Sequence, residues 1–243
     1  VEEAKADSFN GVDVALFAGG SISKTFAPIA VKAGAVVIDN SSTYRMDPDV
    51  PLIVPEVNPQ DITKHHGIIA NPNCSTIIMV MALKPIYDQA RIKRIIVSTY
   101  QAASGAGKDG LDELENQIKQ AARGEEMTAK IFPSASAKKH FPLALNLVPQ
   151  IDIFLDNLYT KEEMKMVNET KKSFSDPEMR ITATTVRVPV YRSHSESVNV
   201  ELEHDVELED IRKALAGFPG VVLQDDPSQQ IYPMPLYTSG KND

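Results

Sequence analysis

Cys74 is the single cysteine of the 243-residue chain. A lone thiol is either an inert packed residue or a nucleophile. It lies in Asn71-Pro72-Asn73-Cys74-Ser75-Thr76, where a strand pattern gives way to a helix pattern. Exposed backbone N–H groups and the positive helix end would favour the thiolate there, and on position alone both readings stay open. One cysteine excludes an intrachain disulfide and a multi-cysteine zinc site, and no metal is expected.

A thiolate nucleophile usually works with a base. His65 and His66 follow Lys64 in a polar turn, and His204 ends a strand among acids. Those three read as solvated. His140 falls in a proline-interrupted stretch. His194, in Tyr191-Arg192-Ser193-His194-Ser195-Glu196, occupies a loop between two strands. A functional base could stand there, as could a merely exposed histidine. Gln101 closes a strand leading into Ser104-Gly105-Ala106-Gly107. Such small residues allow the close backbone approach of a phosphate or cofactor loop, or form an ordinary turn. Arg45, Lys172 and Arg187 could bind phosphate and carboxylate, while Arg187 equally reads as a solvated strand face.

The elements that must carry these residues fall into two styles. Val12–Ala18, bounded by Gly11 and Gly19-Gly20, is a short apolar run that suits a strand buried on both faces. Ser21 or Ser23 can cap a helix through Lys32 that Gly34 ends. Ala35–Asp39 is a second buried strand, so the alternation implies a parallel sheet with a right-handed crossover. Leu52–Val54 and Ile68–Ala70 are further strands, with a short helix starting at Asn58–Ile62. A long helix runs from Cys74 to Tyr87. The loops at 18–23, 39–45 and 71–75 lie at carboxyl ends of strands, where parallel sheets bind ligands.

Beyond residue 92 the character changes. Ile95–Tyr100 is β-rich, a polar helix starts near Asp109, and residues 124–160 read as irregular. Lys161–Phe174 is helical. Arg180–Val190 and Ser197–Glu203 alternate like antiparallel strands with one solvated face. The amphipathic helix Glu207–Ala216 precedes a strand Val221–Leu223. A face carrying Thr182, Thr184 or Thr185, Ser197 and Asn199 with few lysines fits a covered sheet surface, so residues from about 92 to 220 are expected to form a dimer interface.

The net charge of −8 disfavours non-specific binding to nucleic acid or anionic membranes. No stretch approaches the roughly 18 apolar residues of a membrane span, and no signal peptide is recognisable. With no disulfide, a cytoplasmic location is expected.

Taken together, Asn71–Thr76, then Tyr100-Gln101-Ala102-Ala103-Ser104-Gly105-Ala106-Gly107, then Arg187-Val188-Pro189-Val190 seven residues before His194, resemble the aspartate-β-semialdehyde dehydrogenase family, most closely its bacterial Gram-positive-like branch. The resemblance runs through Phe218-Pro219-Gly220 and Gln230-Ile231-Tyr232-Pro233. It implies an α/β fold: a Rossmann-type parallel sheet in residues 1–73, and an α+β catalytic and dimerisation domain with an antiparallel or mixed sheet in 74–243. It implies NADPH-dependent reduction of L-aspartyl-4-phosphate to the semialdehyde with release of phosphate, on the route to lysine, diaminopimelate, threonine, methionine and isoleucine, by a homodimer.

Residue by residue, the family's nucleophile falls on Cys74, its acyl-orienting glutamine on Gln101 and its acid/base on His194. Its carboxylate-binding arginine falls on Arg187 and its phosphate-binding arginine on Arg45. A Glu-x-x-Lys pair for substrate amine and phosphate falls on Glu169 and Lys172. Ala18-Gly19-Gly20-Ser21 and Ser104-Gly105-Ala106 would contact NADP.

Family members open with a strand and a glycine-rich phosphate loop and continue beyond Gly240. The chain is therefore expected to be a central piece, lacking roughly 50 residues of the nucleotide-binding half and inactive by itself. The absent segments include the one that discriminates NADP from NAD. Two rival readings are an N-acetyl-γ-glutamyl-phosphate reductase and a non-catalytic dimerisation module. Glu169 argues against the first, because an acetylated substrate has no ammonium to pair.

Overall fold

The computed structural model describes residues 2–241. Two compact units make up the chain: Val1–Lys84 with Asn168–Glu178, and Pro85–Val167 with Met179–Asp243. The expected domains 1–73 and 74–243 do not share that boundary.

In the first unit, β1 (Val14–Phe17), β2 (Val36–Asp39) and β3 (Ile68–Ala70) form a parallel sheet in the order β1-β2-β3. The crossover helix α1 (Ser23–Lys32) buries Ala27 and Ala30 against Ala15, Ala35 and Val37. Phe9 adds its ring beside Phe17 and Phe26. Alanines on the helix let it lie close to the strands, and the β-branched valines suit the pleated surface.

Three details depart from expectation. β1 is not buried on both faces, because Val14 and Leu16 are exposed while α1 covers the other side. Ser23 does not cap α1. It is buried, and its hydroxyl donates to Asp39 Oδ1 at 2.7 Å. A turn of 3-10 helix, Gly20–Ile22, starts the helix instead. Leu52–Val54 is not a strand but a single parallel bridge from Leu52 to Ala70. Pro51 and Pro55 flank it without N–H groups and prevent the ladder from growing.

The second unit is built on β4 (Ile92–Gln101), which lies between β5 (Arg180–Arg187) and β6 (Ser195–Leu202). β5 runs parallel to β4 and β6 antiparallel, so this sheet is mixed. Ile95, Val97, Thr99 and Gln101 of β4 line its buried face, with Ala183, Thr185 and Arg187 of β5. Ile96 and Tyr100 point to the other, open face with Thr184, Ser197 and Asn199. Thr185 belongs to the buried side.

The second unit also holds two segments of long helices. α2 (Cys74–Ala90) and α4 (Lys161–Ser173) each begin in one unit and end in the other. α3 (Gly107–Ala122) packs Leu114 with Phe132, Leu143 and Val148.

The irregular stretch after α3 is pinned by buried side chains. Gln117 Oε1 accepts from the N–H groups of Leu143 and Ala144, and its amide donates to the Thr128 carbonyl. α4 opens with a reciprocal cap. The Thr160 N–H donates to Glu163 Oε2, and the Glu163 N–H donates to Thr160 Oγ1. Glu163 Oε1 also accepts from Thr185 N–H on β5 at 3.1 Å, docking the helix start to the sheet. After α5 (Leu208–Ala216) and a mostly irregular tail comes one helical turn, α6 (Pro235–Thr238). Val221–Leu223 forms no strand.

Candidate active site

In the first unit the construction starts from Asn73. Its side-chain carbonyl accepts from the N–H groups of Ser75 and Thr76 at 3.0 and 3.3 Å. Asn73 is thus the N-cap of α2, and Cys74 is its first residue, exposed at the positive end of the helix dipole. The backbone N–H of Asn73 donates to Glu169 Oε2 at 2.6 Å. Arg45 donates to Glu169 Oε1 at 3.1 Å and to the Asn40 carbonyl at 2.8 Å. Glu169 therefore ties the loop carrying Arg45 to the turn carrying Cys74, with both of its oxygens engaged.

Lys172 corrects an expectation. Its ammonium donates to the carbonyls of Arg45, Asp47 and Val50 at 2.8, 2.6 and 2.8 Å. An ammonium has three donors, so none remains for phosphate. Burial lowers its pKa against the opposing fields of Asp47 and Glu169. This lysine staples a loop, and Glu169 braces the cysteine turn.

The second unit brings Gln101, Arg187 and His194 together with Glu162 and Lys165. Gln101, fully buried at the end of β4, donates to Glu162 Oε1 at 3.1 Å. Lys165 donates to Glu162 Oε2 at 3.0 Å and to Asp152 Oδ2 at 3.2 Å. Burial alone would lower the Lys165 pKa, but the two carboxylates raise it, so its ammonium is held charged. Arg187 is buried, not solvated. Its Nη1 donates to the Ala102 carbonyl at 2.8 Å, and the guanidinium lies over the Phe132 ring. Aromatic and carbonyl contacts of this kind orient the planar fork.

His194 Nδ1 accepts the Ala102 N–H at 3.0 Å. Burial and then the Arg187 charge push its pKa down to about 4, with Glu162 opposing. The loop and its partner segment are also stitched by backbone, Ala103 N–H to Val190 O and Ser104 N–H to Tyr191 O. Gly105 is needed there, since a Cβ would stand 2.6 Å from Arg187 Nη1 and 3.4 Å from His194 Nε2.

Sequence reasoning missed Glu162 and Lys165, although the signal was present. Glu162-x-x-Lys165 has the same spacing as Glu169-x-x-Lys172 and precedes it by two helical turns. Partners, not spacing, separate them.

The loop expected to meet a nucleotide, Ala18–Ser21, is exposed just beyond the carboxyl end of β1. Gly20 has φ of +65°, a conformation that favours glycine. Ser104–Ala106 forms a 3-10 turn just before α3. Both segments present backbone with little side chain, which fits close approach of a cofactor. Among the described residues no helix is long and apolar enough to cross a membrane.

Comparison with known proteins bears on this arrangement. Residues 1–65 match the family described as semialdehyde dehydrogenase, NAD binding domain, and residues 83–243 match semialdehyde dehydrogenase, dimerisation domain. The aspartate-semialdehyde dehydrogenase of Bacillus subtilis is 55% identical over 245 residues, covering 100% of this chain and 71% of that protein. The crystal structure of aspartate semialdehyde dehydrogenase II from Vibrio cholerae superposes with a TM-score of 0.86 at 45% identity, covering 94% of this chain. The chain spans 66% of that structure, which is also known complexed with ASA. A Candida albicans aspartate semialdehyde dehydrogenase with NADP gives a TM-score of 0.59 at 25% identity, over 85% of this chain and 55% of that one.

Proposed function

Since this chain belongs to the aspartate-semialdehyde dehydrogenase family, we propose that it carries the chemistry of an NADPH-dependent reductase of L-aspartyl-4-phosphate. The observation that carries this reading is the placement of Cys74, exposed at the first position of α2 behind the Asn73 cap. The thiolate attacks the acyl carbon, the bond to the phosphate oxygen breaks, and a thioester forms on Sγ. Backbone N–H groups at the start of α2 stabilise the oxyanion.

Arg187 clamps the substrate carboxylate by two parallel hydrogen bonds, and Gln101 orients the acyl group. Glu162, not Glu169, receives the substrate ammonium. Lys165 and Arg45 supply positive charge for the phosphate. Ala18–Ser21 and Ser104–Ala106 hold NADP, residues 1–73 serving the cofactor and 74–243 catalysis and dimerisation. When bound, the cofactor supplies the hydride that turns the thioester into the aldehyde. The open face of the mixed sheet, with Ile96 and Tyr100, pairs with that of a second copy in a cytoplasmic homodimer.

Acylation tests the reading. Mass spectrometry of the chain exposed to aspartyl phosphate should show a Cys74 adduct that Cys74→Ser abolishes, because an alcohol without an adjacent base is a far weaker nucleophile. An adduct on the variant at the wild-type rate would exclude Cys74.

A further inference from the structure

Lys165 stands between two carboxylates. Its ammonium donates to Glu162 Oε2 at 3.0 Å and to Asp152 Oδ2 at 3.2 Å. Glu162 lies one helical turn earlier on α4, whereas Asp152 comes from the segment that leads into the helix. Glu162 is the inner acid, its side chain 7% exposed, and Asp152 the outer one at 33%. Asp152 is fixed by its backbone. Its φ is +68°, its Oδ1 accepts the Ile153 N–H at 2.9 Å, and its carbonyl accepts the Gln150 amide at 3.0 Å. The residues after it fold back as a narrow hairpin, Leu155 N–H to Tyr159 O and Lys161 N–H to Ile153 O, both at 2.8 Å. That hairpin sets Asp152 beside the second turn of α4.

Resting on the reading that Glu162 receives the substrate ammonium, we propose that Asp152 is a positioning residue: it keeps hold of Lys165 as that ammonium arrives, which frees Glu162 for the substrate and favours an amino substrate over its analogue without the amine.

Charge balance carries the argument. By itself the cluster has one cation, Lys165, between two acids. The substrate ammonium brings a second cation, and two cations then meet two carboxylates. Without Asp152, Lys165 and the ammonium would compete for Glu162, and a partly buried cation would be left short of a partner. Gln101 cannot fill that place, because it is neutral and its amide already donates to Glu162 Oε1 at 3.1 Å. Glu162 and Asp152 are the charged groups whose fields keep Lys165 protonated. A substrate without an ammonium leaves Lys165 on Glu162 and gains nothing from Asp152. An outer ion pair that merely braced the hairpin would act equally on both substrates.

Steady-state kinetics of the active enzyme make the test, with L-aspartyl-4-phosphate and with succinyl phosphate, which lacks only the amine. Asp152→Asn keeps an acceptor for the Ile153 N–H and a residue type that tolerates positive φ, so the fold should persist. It should raise KM for aspartyl phosphate about tenfold, the scale of one hydrogen bond to a charged group, and leave KM for succinyl phosphate unchanged. Asp152→Glu, which restores the charge, should recover part of the loss. An equal loss with both substrates, or no loss with either, would overturn the proposal. Glu162→Gln tests the reading beneath it and should abolish the preference for the amino substrate. A preference abolished by Glu162→Gln but untouched by Asp152→Asn would strike the proposal and keep that reading. A preference that wild type lacks, or that Glu162→Gln retains, would strike both.

Discussion

Two Glu-x-x-Lys pairs, seven residues apart on α4, meet opposite fates. Glu169 and Lys172 close upon the protein. The acid takes Arg45 and the Asn73 N–H, and the base takes three carbonyls of the 45–50 loop. Glu162 and Lys165 bond to one another and to Gln101 and Asp152, and the charge of Glu162 reaches His194. The first pair holds a loop in place. The second keeps a carboxylate beside the groups that would bind substrate. An i, i+3 spacing shows that two side chains share a helix face, but says nothing about what that face meets.

Exchanging single atoms should break this contrast or sharpen it. The largest expected effect is on activity. In the active enzyme, Glu162→Gln should lower kcat/KM by at least 10²-fold, because it removes the charge opposite an ammonium while keeping the carboxylate's shape; Asp152 still pairs with Lys165, so the stability loss should stay below that of Glu169→Gln. A loss confined to stability would move Glu162 out of the site.

Glu169→Gln should do the reverse. Removing one partner of a buried pair typically costs about 3–5 kcal/mol, and the Arg45–Glu169 pair is buried. Urea unfolding should register that loss first. Smaller again is Lys172→Met, which leaves three carbonyls of the 45–50 loop without a donor. Hydrogen bonds to charged groups contribute roughly 1.5–3 kcal/mol each. Water reaches part of this site, so a total of about 2 kcal/mol is expected, with little change in KM. A tenfold rise in KM at wild-type stability would return Lys172 to the phosphate.

Much of the fold was legible because parallel strands announce themselves. Val14–Phe17, Val36–Asp39 and Ile68–Ala70 are short apolar runs between glycine and polar turns, and they pair as the pattern requires. The direction of β5 was not legible. Period-two alternation records which side chains share a face, and it is identical for parallel and antiparallel neighbours. Leu52–Val54 shows a different limit. Its residues are apolar and buried, yet flanking prolines deny it the ladder.

In the site, Cys74, Gln101, Arg187 and His194 were named from motifs, and the structure groups the last three through Ala102 and Glu162. The hydrogen bond from the Ala102 N–H to His194 Nδ1 was invisible, because no residue type encodes a backbone N–H. Glu162 was hidden by a second pair of identical spacing.

An effect of about the same size as that of Lys172→Met, but seen only as pH changes, concerns two titrating neighbours on the His194 segment, and it separates them by sign. Burial pushes the Glu196 carboxyl up from its ordinary 4.5 to about 8, and its Oε1 has no hydrogen-bond partner among the described residues. The folded state therefore keeps that proton between about pH 4.5 and 8, while the unfolded chain releases it. Stability from this group falls as pH rises through that window. His194 behaves oppositely. Its pKa is pushed down to about 4 from 6.5, so the unfolded chain takes up a proton that the folded state refuses, and stability falls as pH drops through the window from 6.5 to 4.

Between pH 4.5 and 6.5 the two slopes oppose. Between 6.5 and 8 only Glu196 acts, at roughly 1.4 kcal/mol for each full pH unit. Over that interval wild type should lose about 2 kcal/mol, and Glu196→Gln should lose almost none. The glutamine amide pays the same burial penalty at every pH, so the slope isolates the titration from the packing. Urea unfolding at pH 5, 6.5 and 8 makes the comparison. Equal slopes in the two proteins would mean that Glu196 is ionised in the folded state, and that a partner or solvent reaches it.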